Sequence, residues 1–506
     1  MHTPDEAAFT SLYRQGIPQV VSTTLVADLE TTVSAYMKLA DGQPDSMLFE
    51  SVEGGASRGR YSFITLKPDL MWRCHQGQAE INRSARLDRT AFKPVEEPPL
   101  DSLRALIAEC RIALPPQMPP MASGLFGYVG YHMICQAEPV PDANPDHLGI
   151  PDALLVRPTI VAIFDTIEDV VTIVTPVWPD PGIDAANAYT LARQRLAQVV
   201  SDLNRSPPYR RERADLTSTL PAPASNMTRE DYGHVVERAK AFIRAGDIFQ
   251  VVPSQRFSVP FKLPPFALYR ALRRLNPSPF LFFQDFGEFS VVGSSPEIMV
   301  RLRGEEVTIR PIAGTRPRAR PRGGANREED QAIAAELLAD PKERAEHLML
   351  LDLGRNDVGR IAEIGSVKVT DQFFIEYYSH VMHIVSNVVG KIRPGLTAVD
   401  ALMAGFPAGT VSGAPKIRAM QIIDELEVSR RGLYAGAVGY FGASGDLDTC
   451  IALRTGLVKD GTLYVQAGGG IVYDSDPDAE YEETVNKAGA LFRAADEAVK
   501  FASGQG

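Results

Sequence analysis

Residues 381–392 read VMHIVSNVVGKI, and the way apolar side chains recur in this stretch decides the fold class. The segment is rich in β-branched residues and alternates with a period near two, which predicts an antiparallel strand rather than a helix. Upstream, ALLVRPTIVAIFD at 153–165 and VVTIVTPV at 170–177 have the same character. Helical patterns lie between such runs. Thr228 with Asp231 forms a capping-box signature, and Tyr232, Val235, Val236, Ala239, Phe242 and Ile243 then keep helical spacing up to Gly246. Strands and helices do not follow a βαβ rhythm, and no G-x-G-x-x-G opens a helix. The pattern predicts an α+β protein of mostly antiparallel sheets with flanking helices.

The 506 residues include 52 Lys and Arg against 63 Asp and Glu, a formal net charge of −11. That balance argues against a general binder of nucleic acid or of anionic membranes. The first residues, MHTPDEAAFTSLYRQG, show no basic-then-apolar pattern, and no apolar run approaches the roughly 20 residues of a membrane span. Cys74, Cys110, Cys135 and Cys450 are scattered without a C-x-x-C pair, as in a reduced, cytoplasmic enzyme. The clearest seam is the polar, proline-bearing stretch at 203–230. It divides the chain into an N-terminal domain at 1–205, a linker at 206–227 and a second domain at 228–500.

Chemistry concentrates in the second domain. In QAGGGIVYDSDPDAEYEETVNKAGALF, residues 466–492, Ser475 or Asp476 can cap a helix that has Pro477 at its first position. Glu480, Glu483 and Lys487 then share one helix face, with the bare backbone of Gly468, Gly469 and Gly470 just upstream. A solvated acidic helix after a glycine turn would read the same way. A second acidic helix, 340–361, puts Glu343 and Glu346 on one face. Carboxylates from two helices are a common way to hold Mg²⁺ beside an anionic substrate. His383 lies mid-strand, where a hydrogen-bonded core histidine is the commoner case. Arg454 in CIALRTGLV requires an anionic partner, and Glu297 in SSPEIMV is an acid that burial can raise into general-acid range. At 311–318 the chain reads PIAGTRPR, a strand entering a Gly-containing turn that suits close approach of an anion. The five arginines between Arg310 and Arg322 read as a solvated loop.

Taken together and in order, PIAGTRPR, KERAEHLMLLDLGRNDVGR, FPAGTVSGAPKIRAMQIIDELE, YAGAVGYFG, IALRT and the 466–492 segment resemble the chorismate-utilising enzymes, and among them anthranilate synthase component I. The resemblance is dense over residues 228–495 and looser over FESVEGG…GRYSFI at 49–64 and GLFGYVGY at 124–131. It implies antiparallel sheets packed as a sandwich, and Mg²⁺ held by Glu346 and Glu483 with Glu480 acting through water. It also implies substrate contacts from Arg454, Tyr434, Gly468, Gly469, Gly470, Lys487, Gly314, Thr315 and Thr410. Glu297 matches the general acid that protonates the departing 4-hydroxyl of chorismate, and His383 is the candidate base for loss of pyruvate.

Two positions choose between branches of that family. Members that place nitrogen at C4 typically carry a nucleophilic lysine where this chain has Ala313, and water-using members a lysine base where it has Gln250. Neither alanine nor glutamine can do those jobs, which leaves ammonia attacking C2 to give anthranilate. No cysteine sits in a G-x-C-x-G elbow, so a separate glutamine amidotransferase subunit is expected to supply ammonia, in a heterotetramer of two of each chain. Aminodeoxychorismate synthase component I and a non-catalytic regulatory homologue are the rival readings. The resemblance further implies feedback inhibition by L-tryptophan. The N-terminal domain would be regulatory, with Leu48, Phe49, Glu50 and Ser51 and the loop from Asn276 to Leu281 as the two halves of a clasp. In it Ser51 would meet the amino acid, and Pro279, Phe280 and Leu281 the indole.

Overall fold

The computed structural model describes residues 2–53, 57–208, 220–319, 327–378 and 381–503. Part of the expected linker, 209–219, and Arg320 and Arg322 lie outside the described residues. The strand expected from VMHIVSNVVGKI spans Val381–Lys391 and pairs antiparallel with Glu306–Ile309, Ile312–Pro317 and Lys368–Tyr377. Its alternation has a plain cause. Met382 and Ile384 pack under the helix Arg327–Ala339, and Val388 under the helix Pro341–Gly359, which leaves His383 on the opposite face.

Every strand pairing in the large described sheet system is antiparallel, and many join the two halves of the chain. Ser46–Glu53 pairs with Phe280–Asp285 along the whole length of the latter, from Ser51 opposite Phe280 to Ser46 opposite Asp285. Gly124–Val129 pairs with Ala437–Gly442, setting Gly127 opposite Gly439. Both glycines have positive φ, and a Cβ on either would lie 2.0 Å from a backbone oxygen of the next strand. Those oxygens belong to Leu154 and Asp448, so each glycine admits the close approach of the strand on the outer side of this pair. Ala224–Ser225, at the end of the expected linker, adds to the sheet beside Ser254–Pro260.

The sheets form a sandwich. Its interior holds Phe63, Phe126, Tyr128, Phe282, Val438 and Tyr440, drawn from both halves of the chain. A second core lies outside it, where Leu48, Ile64, Phe257 and Phe283 meet the helices Ala185–Leu203, Pro265–Leu275 and Pro477–Ser503. Strand FLFF at 280–283 reads as an unbroken apolar run because both of its faces are covered. The helix Arg229–Arg244 opens with the Thr228–Asp231 capping box. No helix among the described residues is long and apolar enough to cross a membrane.

Candidate active site

Several segments converge on one cleft, and the glycine run at its floor explains how three of them come so close. Gly468 ends the strand Thr462–Gly468, opposite Ser254. A Cβ on Gly468 would lie 2.9 Å from the Tyr434 hydroxyl, one on Gly469 2.8 Å from Glu480 Oε2, and one on Gly470 2.5 Å from Gln250 Nε2. Only bare backbone lets Tyr434, Glu480 and Gln250 close on this segment together. Burial pushes the Tyr434 phenol up to about 12, so it remains a hydroxyl donor.

The acidic residues arrive as expected from two helices. Asp476, rather than Ser475, caps Pro477–Ser503 by accepting from the Ala479 amide at 2.9 Å, while Ser475 accepts from the Val472 amide. Lys487 donates to Glu483 at 2.7 Å and to the Gly468 carbonyl at 2.9 Å. Gln250 reaches Glu346 at 3.4 Å. Burial raises the Glu346 and Glu480 carboxyls, and the charge of Glu483 raises both further. Glu480 Oε2 is buried without a hydrogen-bond partner. Among the described residues no three such groups stand close enough to cage an ion unaided. This donor set fits Mg²⁺, a hard cation that keeps several waters and takes only one or two carboxylates from the protein. Glu343, on the same face as Glu346, is engaged elsewhere, by Arg316 at 2.8 Å.

Glu297 lies in the bend between the strands Phe289–Ser295 and Ile298–Arg303, and His383 on the strand Val381–Lys391. Glu297 is 6% exposed, and burial lifts its carboxyl to about 8 against the opposing pull of the Thr410 hydroxyl, which donates to it at 3.3 Å. Thr410 thus lies in the site, on the turn Gly409–Val411. His383 sits opposite Thr315, with Nδ1 at 3.1 Å from both the Gly314 carbonyl and the Thr315 hydroxyl. Since a carbonyl only accepts, Nδ1 carries the proton and Nε2 is left as a buried lone pair without a partner. Burial, helped by the charge of Arg454, lowers this imidazole to about 4, so it is neutral at physiological pH. Gly314 forms the bulge in Ile312–Pro317, at φ +68°. Ala313, 8% exposed, pairs with Ile384 and presents only a methyl group.

Arg454 adopts φ +48°, unusual for a side chain of its size, and makes no ion pair with a carboxylate among the described residues. Such an arginine is available to an anionic ligand. Sequence reasoning missed Tyr378, whose ring packs edge-on against His383 at 5.2 Å and whose hydroxyl donates to Glu376. The run FFIEYY just before VMHIVS was the available signal. The arginine-rich segment corrects an expectation over its described part, where the three arginines are paired rather than free in a solvated loop. Arg310 pairs with Glu376, Arg316 with Asp340 and Glu343, and Arg318 with Asp330.

The two segments suggested for a tryptophan clasp are neighbours in the sheet, but the suggested apolar wall needs one correction. Ser51 and Phe280 are direct cross-strand neighbours, and Pro279 is next to Phe280 in sequence. Phe280 packs toward the sandwich interior, whereas Leu281 points into the outer helical core, because consecutive strand residues face opposite ways. Leu281 therefore does not share a wall with Phe280. Phe49 stacks on Phe63 with ring centres 4.8 Å apart and fills the interior.

Known proteins resemble this chain along nearly its whole length. The profile of the chorismate binding enzyme family matches residues 62–493. Anthranilate synthase component 1 of Cereibacter sphaeroides is 59% identical over 495 residues, covering 98% of each chain. The protein of that name from Pseudomonas aeruginosa is 49% identical over 93% of this chain and 94% of its own. Among solved structures, anthranilate synthase component I from Streptococcus pneumoniae is 39% identical and superposes with a TM-score of 0.74, over 86% of this chain and 92% of the other. The menaquinone-specific isochorismate synthase of Escherichia coli, at 19% identity, shares the fold with a TM-score of 0.68 over 97% of this chain and 99% of its own. With identity of this degree along nearly the whole chain, the protein belongs to the chorismate-binding enzymes, in the branch of the anthranilate synthase component 1 chains.

Proposed function

We propose that this enzyme converts chorismate and ammonia to anthranilate, pyruvate and water. One observation carries the reading. The cleft holds a protonated acid, Glu297, and an unprotonated base, His383, but at Ala313 it offers no nucleophile of its own. The nucleophile must then come from outside.

Arg454, the Tyr434 hydroxyl and the amides of Gly468 to Gly470 suit the two carboxylates of chorismate, with Lys487 nearby. Glu346 and Glu483, with Glu480 through water, would hold Mg²⁺, which when bound offsets the charge of the ring carboxylate. Ammonia forms a bond to C2 as the ring double bonds shift and the C4–O bond breaks. Glu297 passes its proton to that oxygen, which leaves as water. His383 Nε2 then takes the C2 proton as the bond between C3 and the enolpyruvyl oxygen breaks. Pyruvate departs and the ring becomes aromatic.

Ammonia would come from a glutamine amidotransferase subunit, two of which would join two of these chains. The cysteines support a separate glutaminase. All four are free, and burial holds each thiol above its ordinary pKa, with Cys135 at about 12, so none is a ready thiolate. Tryptophan would inhibit through the Ser51–Phe280 clasp. A cytoplasmic location completes the proposal. Fluorescence of the product from purified protein with chorismate, ammonium and Mg²⁺ tests it. Anthranilate is expected, whereas an aminodeoxychorismate product would transfer the assignment to the rival branch.

A further inference from the structure

Arg431 is 1% exposed, lies behind Tyr434, and has no part in the chemistry described so far. It pairs with Glu427 through Nη2 at 2.6 Å and Nε at 3.0 Å. A buried ion pair is a poor source of stability, because taking both charges out of water offsets their attraction. The remaining bonds say more. Arg431 Nη1 donates to the Val411 carbonyl at 2.7 Å, and Nη2 to the Val252 carbonyl at 2.6 Å. Val411 ends the turn that carries Thr410. Val252 adjoins the short strand that carries Gln250.

Glu427 extends the same fork. Its Oε1 accepts from both the amide and the hydroxyl of Ser254 at 2.8 Å, and Ser254 is the strand partner of Gly468. The Arg431 guanidinium also lies over the rings of Tyr131 and Tyr434, at 4.7 and 5.4 Å. One planar, rigid group thus ties together the Thr410 turn, the glycine floor and the Tyr434 wall. A lysine cannot match its fixed directions.

We propose that Arg431 is a positioning residue that sets the spacing between the Thr410 turn and the Gly468–Gly470 floor, and through Thr410 the orientation of Glu297. The proposal rests on the function assigned above. It implies that loosening Arg431 widens the carboxylate site and slackens the Thr410 bond to Glu297. That bond favours the ionised carboxyl, so its loss raises the pH at which Glu297 gives up its proton.

The test is Arg431→Lys, measured as a pH profile of kcat and of KM for chorismate with saturating ammonium, beside Thr410→Val and the double variant. KM is expected to rise roughly ten- to hundredfold, as for loss of charge-assisted bonds. The alkaline limb is expected to move to higher pH in both single variants, and no further in the double variant. A lowered melting temperature with KM and limb unchanged would overturn the proposal in favour of a purely structural role. If Arg431→Lys does not fold, Glu427→Gln, which weakens the same fork, is expected to raise KM, and an unchanged KM overturns the proposal. A wild-type profile without any alkaline limb would instead strike at the role of Glu297.

Discussion

His383 donates from Nδ1 to the carbonyl of Gly314 at 3.1 Å, and so leaves Nε2 as a buried lone pair without a partner. The bulge at Gly314 is what brings that carbonyl within reach. Because burial lowers the imidazole to about 4, Nε2 is expected to remain a competent base down to roughly that pH. Replacement of His383 with Met should slow anthranilate formation by about 10²–10⁴-fold, the usual contribution of a general base. Amination does not need this base, so an amino-cyclohexadiene intermediate should accumulate, visible by chromatography of quenched reactions. Equal loss of both steps would mark His383 as structural.

Glu297 should impose the opposite limb. Its carboxyl must be protonated to act, and burial raises it to about 8, so kcat is expected to fall tenfold per pH unit above that value. The same shift has a sign in stability. The folded state holds the proton more tightly than the unfolded state, so the contribution is complete below the ordinary carboxyl pKa of about 4.3 and is lost as pH rises through 8. Glu297→Gln should therefore cost most of the activity. It should also remove a decline of about 1.4 kcal/mol per pH unit across that window, measured as the difference between the two unfolding curves at pH 5 and pH 8.

Local chemistry made much of this legible in advance. The Thr228–Asp231 box, the Asp476 cap and the face shared by Glu483 and Lys487 depend only on residues a turn apart. The alternation at 381–392 was readable because a strand with two unlike faces imposes its period on the sequence. What stayed hidden needs the register between distant strands. Gly127 opposite Gly439 and Arg316 bridging to Glu343 join segments that no spacing rule connects. Leu281 shows the same limit on a smaller scale. Its neighbour Phe280 faces the sandwich interior, but the pleat turns Leu281 to the other side.

The metal assignment predicts a separable defect. Glu483 is half exposed at the mouth of the cleft and paired with Lys487, so Glu483→Gln should leave the fold intact. Mg²⁺ affinity measured by titration calorimetry is expected to fall by tenfold or more, on the scale of losing a charged ligand. An unchanged Mg²⁺ isotherm would refute the role given to Glu483.

Ala313 makes a covalent route impossible from that position. Intact mass spectrometry during turnover should show the unmodified chain only, and a chorismate-derived adduct would contradict the ammonia mechanism. Ala313→Lys would force a long cation into a position that is 8% exposed and lies opposite Ile384. Anthranilate formation should drop sharply, while the circular dichroism spectrum stays close to that of the wild type.

The proposed feedback control by tryptophan has its test at Ser51. Its side chain shares a sheet face with Phe280, and the adjacent Glu50 is buried in bonds from Thr32, Tyr269 and Arg273. Burial opposes the Glu50 charge, but the Arg273 bonds outweigh it and hold the carboxyl below its usual range. Arg273 stands on the helix Pro265–Leu275, which runs directly into the Asn276–Leu281 loop. The Arg273–Glu50 ion pair thus ties the strand that carries Ser51 to the helix that leads into Pro279 and Phe280. An effector seated on Ser51, Pro279 and Phe280 must then act by favouring one arrangement of this joint, and chorismate must weaken its binding in return. Ser51→Phe places a large ring where the amino acid would lie, and should abolish inhibition by millimolar tryptophan while leaving uninhibited turnover within about twofold, since the strand pairing is backbone-made. Wild-type activity indifferent to tryptophan would show that the clasp binds no such ligand.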